Sequence, residues 1–314
     1  MRVSSFSVDE ALAYVGYYNK EGKLTDTFFD SVLFLPYSAF TYSKHYKSAD
    51  GWKYYIDNVF ENGKNVDAFN TACDIVGKEL NKECKMQIFL SVFHTVPTYG
   101  DFPEKFGDLD GDGVDEDLSD LETKKKVTKW MIDQQIERFN NGGYNNLSLC
   151  GFYWFEEQID YDNPHEFEVL GFARDYLHSL GYKLIWITYY QASGFGDWKE
   201  LGFDMACMQP NYAFNPAIPR QRLYDNATLT KRFGLCYELE INDVYSHVDS
   251  DLYKEYLEVG VETGFMNTVK MYYQGARAFY DAFNSKDDFV RSVYDDTYLF
   301  AKEKLVSPVR AKKD

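Results

Sequence analysis

The sequence predicts an α/β fold of the (β/α)₈ TIM-barrel type, a single domain spanning residues 1–314 with its barrel over about 13–305. Three observations carry this expectation. Short apolar runs alternate with longer amphipathic ones along the whole chain, the pattern of a parallel sheet joined by helices. Several runs, such as residues 31–36 (SVLFLP), are apolar without interruption, as strands covered on both faces are. Eight such units in 314 residues also match the usual size of this barrel.

Taken in order, the first strand is expected over residues 13–18. The next segment, 20–29, is too short for a full helix, so the first βα unit is degenerate. Residues 31–36 form the second strand, and 52–61 and 66–80 read as helices. The third strand is 86–93, and residues 121–139 form a long amphipathic helix. The fourth strand, 149–155, leads to a helix over 165–180 that stops at Gly181. Residues 183–189 are the fifth strand, a short helix follows at 197–201, and 204–208 is the sixth strand. A helix at 219–231 precedes the seventh strand, 233–239, and a helix at 252–262 precedes the eighth, 268–273. The last helix covers 287–304. An open doubly wound sheet is the alternative, but no GxGxxG follows the first strand.

Composition narrows the partners. The net charge of −17, from 50 acidic and 33 basic residues, repels nucleic acid and anionic membranes. A neutral or cationic glycan is easier to reconcile with it than a polyanion. Aromatic residues make up 18% of the chain, with 27 Tyr and 25 Phe. Such rings serve both cores and sugar-binding clefts. The five cysteines (Cys73, Cys84, Cys150, Cys207 and Cys236) form no CxxC pair, so neither a disulfide framework nor a zinc site is expected. No run reaches the length needed to span a bilayer.

In a barrel of this type the active site lies at the C-terminal strand ends. Those ends carry rings, amides and acids: Tyr17 and Tyr18 on the first strand, His94 on the third, Tyr189 on the fifth, Gln209, Asn211 and Tyr212 on the sixth, Tyr273 on the eighth. Rings stack on sugar CH faces while amides and acids bond hydroxyls, so these eight residues are the candidate substrate contacts. The fourth and seventh strands end instead in carboxylates, Glu156–Glu157 and Glu238 with Glu240. Side chains alternate along a strand. On the fourth, Phe152 and Trp154 suit the helix-covered side, which turns Glu157 inward. On the seventh, Leu235, Tyr237 and Leu239 share one face, and Cys236, Glu238 and Glu240 the other. Strand ends twist, so Glu156 stays among the candidates. Paired carboxylates in a cleft break glycosidic bonds.

With these residues in place the chain resembles the clan of (β/α)₈ glycoside hydrolases that carry an acid/base Glu at the end of strand four and a nucleophile Glu at the end of strand seven. The GFYW run at 151–154 and the order of strands resemble more closely a bacterial family, DUF4855, often found beside carbohydrate-binding modules. The resemblance covers nearly the whole chain. It implies a secreted or cell-surface hydrolase, acting as a monomer on a poly- or oligosaccharide, retaining and endo-acting. Glu157 or Glu156 would be the acid/base, and Glu238 or Glu240 the nucleophile. The Asn-Glu dipeptide usual at strand four is replaced here by Phe155-Glu156. Loops 38–50 and 209–219 are long enough to shape an extended cleft.

One further motif stands apart. The run 108–117 (DLDGDGVDED) places carboxylates at positions one, three and five, Gly at six and a backbone carbonyl at seven, the order of a Ca²⁺ loop. Asp108, Asp110, Asp112, Val114 and Glu116 are its candidate ligands. Position twelve is Ser119, not the Glu of an EF-hand, so the ion would be structural; catalysis itself needs no cofactor. Rival readings are a non-catalytic glycan-binding barrel, a metal-dependent hydrolase and a serine hydrolase. With five His in the chain, one of them clearly at a strand end, and with no GxSxG, the last two are disfavoured.

Overall fold

The computed structural model describes residues 5–36, 48–95, 106–163, 165–275 and 277–307. The chain opens with helix α1 (Val8–Val15) and an antiparallel hairpin of β1 (Gly16–Tyr18) and β2 (Leu24–Thr27). Seven parallel strands follow: β3 (Ser31–Leu33), β4 (Met86–Phe93), β5 (Leu147–Phe155), β6 (Lys183–Thr188), β7 (Met205–Met208), β8 (Cys236–Ile241) and β9 (Lys270–Gln274). They lie side by side in chain order within one sheet. Between them run α2 (Ala49–Val59), α3 (Asn65–Leu80), α4 (Leu121–Asn141), α5 (Glu166–Ser179), α6 (Gln221–Phe233) and α7 (His247–Thr263). Two helices, α8 (Ala278–Asn284) and α9 (Asp288–Ala301), end the chain.

The alternation of side chains separates two cores. Leu33, Phe89, Tyr153, Ile185, Cys207, Cys236 and Met271, one from each parallel strand, meet in a single inner cluster. A sheet whose seven strands all reach one cluster on one face must be curled round it, as twist favours. The opposite faces (Phe152, Trp154, Leu184, Trp186, Leu239) join the larger core against the helices.

Among the described residues the expected eight parallel strands are thus corrected to seven, with β3 and β9 as the ends of the sheet. The reason is local. Ser7 and Glu10 form a capping box, each side chain accepting from the other's backbone N–H, and start a helix where a strand was expected. Gly16–Tyr18 then pairs with β2 and stays out of the sheet. This N-terminal unit touches both sheet ends. Tyr14 donates to Gln274 Oε1 at 3.0 Å, Phe29 packs on Tyr272, and Asp30 O receives Gln87 N–H. Tyr17 and Tyr18, expected at the substrate-facing ends, anchor the hairpin instead. Tyr17 stacks on Tyr298 and donates to Asp295, while Tyr18 packs on Phe283. The helix expected at 197–201 is a series of turns. Most of the 38–50 loop lies outside the described residues.

Two glycines shape the strands that carry the acidic ends. Gly234, at φ +70°, ends α6 in the left-handed conformation, so β8 begins two residues later. Gly151 lies where β5 and β6 approach so closely that a Cβ there would stand 2.4 Å from the Lys183 carbonyl oxygen. Gly151→Ala should therefore cost about 1–3 kcal/mol, read as a lower denaturation midpoint in urea. An unchanged midpoint would contradict the tight β5–β6 register.

Candidate active site at the strand ends

On β8, Tyr237, Leu239 and Ile241 pack against the helices, and Cys236 points into the inner cluster. Glu238 and Glu240 follow Cys236 on its face, opposite Met271 and Tyr273 of β9. Both are buried, at 4% and 0% exposure. On β5, Tyr153 and Phe155 point inward. Just beyond, the N–H of Glu156 turns back to the carbonyl of Trp154 at 2.9 Å, which breaks the alternation. Glu156 is thereby directed at His94, and Glu157 into the electrostatic reach of Glu238 and Glu240.

All three acids are raised, chiefly by burial. Burial pushes the Glu238 carboxyl well above the ordinary range, and the charges of Glu240 and Glu157 push it further. Burial also lifts Glu240, to about 7. Hydrogen bonding from Tyr256 and from the backbone amides of Asn211 and Tyr212 offsets part of that rise, and the Glu157 charge adds to it. Glu157 is exposed as a residue, yet the surrounding protein desolvates its carboxyl. Its carboxyl is raised by that desolvation, lowered by Gln209 and raised again by Glu156.

Tyr256 of α7 holds this arrangement. Its hydroxyl donates to Glu240 Oε2 at 2.7 Å and accepts the N–H groups of Tyr212 and Ala213 at 3.2 and 3.1 Å. Asn211 takes a left-handed conformation, φ +53°, in the same loop, and its Oδ1 accepts the Tyr190 N–H. Around the acids, Thr95 Oγ1, Thr188 Oγ1, Gln209 Nε2 and Glu240 Oε1 are buried without a hydrogen-bond partner of good geometry among the described residues. They follow or end β4, β6, β7 and β8, so polar valences converge on one end of the sheet.

The other candidate contacts divide. Gln209 faces Glu157, and Tyr273 neighbours Glu240 in register and packs edge-on against Phe214, which is exposed. Tyr189 donates to Gln158 Oε1 at 2.6 Å, beside the β5 acids. Asn211 reaches Glu240 through its backbone N–H, while its side chain bonds the Tyr190 N–H. Tyr212 is buried and bonds Glu255 on α7, so it anchors its loop rather than facing the cluster. His94 is held between Glu156 and Glu166. Tyr256, Glu166 and Phe214 were not legible as site residues. Tyr256 sits in a run of buried α7 positions that reads as ordinary core.

In the acidic loop, oxygens of Asp108, Asp110 and Asp112 converge within 4.8 Å of one another. Asp108 accepts the N–H groups of Gly111 and Gly113, and Asp112 that of Val114. Lys126 of α4 lies 2.7 Å from Asp110 and 3.1 Å from Glu116, balancing the charge.

Residues 1–299 match a domain of unknown function, DUF4855. The chain belongs to the DUF4855 family. No curated protein matches this DUF4855 chain. Among solved structures it is similar to the carboxyl transferase domain of Rhizobium etli pyruvate carboxylase (9% identity, TM-score 0.39), covering 88% of this chain but only 45% of that one. It is also similar to fungal β-1,4-galactanases (13%, TM-score 0.44, 88% of each chain) and to an intracellular xylanase from Thermoanaerobacterium saccharolyticum (11%, TM-score 0.39, 78% of this chain and 84% of that one). These likenesses are distant.

The raised Glu240 carboxyl has a consequence for stability. The folded state binds its proton more tightly than the unfolded chain, so stability falls as pH rises from about 4.5 through about 7 and then levels off. Glu240→Gln keeps an acceptor for Tyr256 and removes the charge. It should stabilise the fold at pH 8 by an amount of the order of 3 kcal/mol and leave stability at pH 4 unchanged. Chemical denaturation at the two pH values measures this, and a destabilised variant at pH 8 would contradict it.

Proposed function

We propose that this DUF4855 chain is a retaining, endo-acting glycoside hydrolase for a neutral poly- or oligosaccharide. The observation that carries the reading is the meeting of Glu157 with Glu238 and Glu240. These acids come from strand ends far apart in sequence; each is raised by burial, and the Glu157 charge adds to the rise of Glu238 and Glu240. Carboxylates forced together at the C-terminal end of a parallel sheet, among unpaired polar atoms, are costly unless used.

In the proposed mechanism Glu157, at the open side, protonates the glycosidic oxygen as the leaving sugar departs. Glu240 attacks the anomeric carbon and forms a glycosyl–enzyme ester. It lies nearer the strand end than Glu238, and Tyr256 with the two loop amides favours its anion. Glu238, whose carboxyl burial raises well above the ordinary range, stands one inward position earlier on β8. Glu157, now ionised, takes a proton from the water that cleaves the ester. Phe214 and Tyr273 offer rings to a sugar face.

The test is release of reducing ends from a polysaccharide panel, followed by aryl glycosides for kinetics. Glu157→Gln should lose about a hundred- to ten-thousand-fold in kcat on poor leaving groups and far less on dinitrophenyl glycosides. Glu240→Gln should be inactive on both. Full activity in either variant removes that residue from the mechanism. Binding without release by the wild type would favour a glycan-binding module instead.

We also propose that the 108–116 loop takes up Ca²⁺ as a structural ion. The convergence of three carboxylates and the place of the Val114 carbonyl support this, with Lys126 giving way on binding. Millimolar Ca²⁺ should raise Tm by several degrees, EDTA should reverse it, and Asp110→Asn with Asp112→Asn should abolish the response. No shift in the wild type would remove the ion from the account.

A further inference from the structure

His94 sits between two carboxylates. Its Nε2 lies 2.7 Å from Glu166 Oε2, and its Nδ1 lies 3.7 Å from Glu156 Oε2. Glu166, in the first turn of α5, is wholly buried, and the ring of His94 stands edge-on to Trp154. Buried Lys124 of α4 faces Glu166 through its charge and contacts His165 Nδ1 at 3.1 Å. Ionisable groups thus run in a chain from α4 through α5 to the end of β5.

Glu156 is fixed along its whole length. Trp186 Nε1–H donates to its carbonyl at 2.6 Å, and its own N–H bonds Trp154 O. One carboxylate oxygen faces His94. The other, Oε1, accepts the N–H of Glu157 at 3.1 Å. That last bond reaches the backbone of the residue that presents its carboxyl to the cleft. A side chain with one oxygen bonded to its neighbour's N–H and the other 3.7 Å from His94 Nδ1 holds that neighbour more readily than it delivers a proton.

We propose that His94 and Glu166 are positioning residues that lock the Glu156 side chain as a strut under the Glu157 backbone, leaving Glu157 as the β5 carboxyl that meets substrate. This rests on the reading of Glu157 as the acid, and it reassigns His94 from a sugar contact. A chain of paired groups costs less to bury than any one of its charges alone. It also gives Glu157 a fixed height in the cleft, which proton transfer to a glycosidic oxygen requires.

The test reads Glu157 itself. In protein labelled with ¹³C at glutamate carboxyls, its resonance is assigned by its loss in Glu157→Gln. The groups that face it directly are Glu156, Gln209, Glu238 and Glu240. Glu166→Leu and His94→Phe leave all four in place and release the strut. The Glu157 midpoint, raised in the wild type, should then move down by about 0.5 pH or more as the side chain gains solvent. His94→Asn, whose amide nitrogen overlays Nδ1, should keep the wild-type midpoint. Should Glu166→Leu fail to fold, Glu166→Gln keeps the shape without the charge and is read in the same way.

An unchanged midpoint in both strut-releasing variants would overturn the proposal. On any aryl glycoside that the wild type hydrolyses, these variants should lower kcat about tenfold or more with KM unchanged. A raised KM with unchanged kcat would return His94 to the role of a sugar contact. If no glycoside is hydrolysed at all, the hydrolase reading fails, and the titration alone still decides the strut.

Discussion

Two carboxylates on one strand face are buried at the end of a parallel sheet, and much of the surrounding structure accommodates them. Glu238 and Glu240 project from β8 on the side where Cys236 enters the inner cluster. Neither has a basic partner among the groups that shift it; the groups that favour the Glu240 anion are a phenol and two backbone amides. Neutral donors stabilise an anion without pairing it irrevocably, so the carboxylate stays available to react. Tyr256 makes this possible by serving as donor to Glu240 and acceptor for the loop after β7. Helix α7, the β7 loop and β8 are tied at that one hydroxyl.

The same site divides its acids by exposure. Glu157 is exposed, while Glu240 and Glu238 are buried in turn along β8. Burial raises all three carboxyls, and the Glu157 charge raises Glu238 and Glu240 further. Removing a charge from such a cluster should relieve the fold, the direction expected wherever acids are buried without basic partners. By contrast, the buried Lys254–Asp296 pair between α7 and α9 has its opposite charge in place and reads as scaffold.

Much of this was legible in the sequence because apolar periodicity and side-chain alternation are local properties. The strand positions from β4 to β9 come from continuous apolar runs, and the inward face of Glu238 and Glu240 comes from counting along β8. What escaped depends on tertiary contact or on a cap hidden beside an apolar run. Ser7 and Glu10 spell a helix start just before a stretch that looks like a strand. Tyr17 and Tyr18 look like strand-end aromatics, yet their partners, Tyr298 and Phe283, lie at the far end of the chain. Tyr212 does lie in the loop after β7, but a bond to Glu255 that no spacing rule foretells turns it inward. Glu166 reads as a first-turn acid complementing a helix dipole, and only the fold sets it against His94.

The central claim is that Glu240 is the group that attacks, with Glu157 as its acid partner. It is tested most directly by incubating the wild-type protein with a panel of dinitrophenyl 2-deoxy-2-fluoroglycosides and mapping any covalent adduct by peptide mass spectrometry. The account predicts one fluoroglycosyl group per chain, on Glu240, formed also by Glu157→Gln and absent from Glu240→Gln. An adduct on Glu238 or Glu156, or hydrolysis with inversion and no adduct, would contradict it.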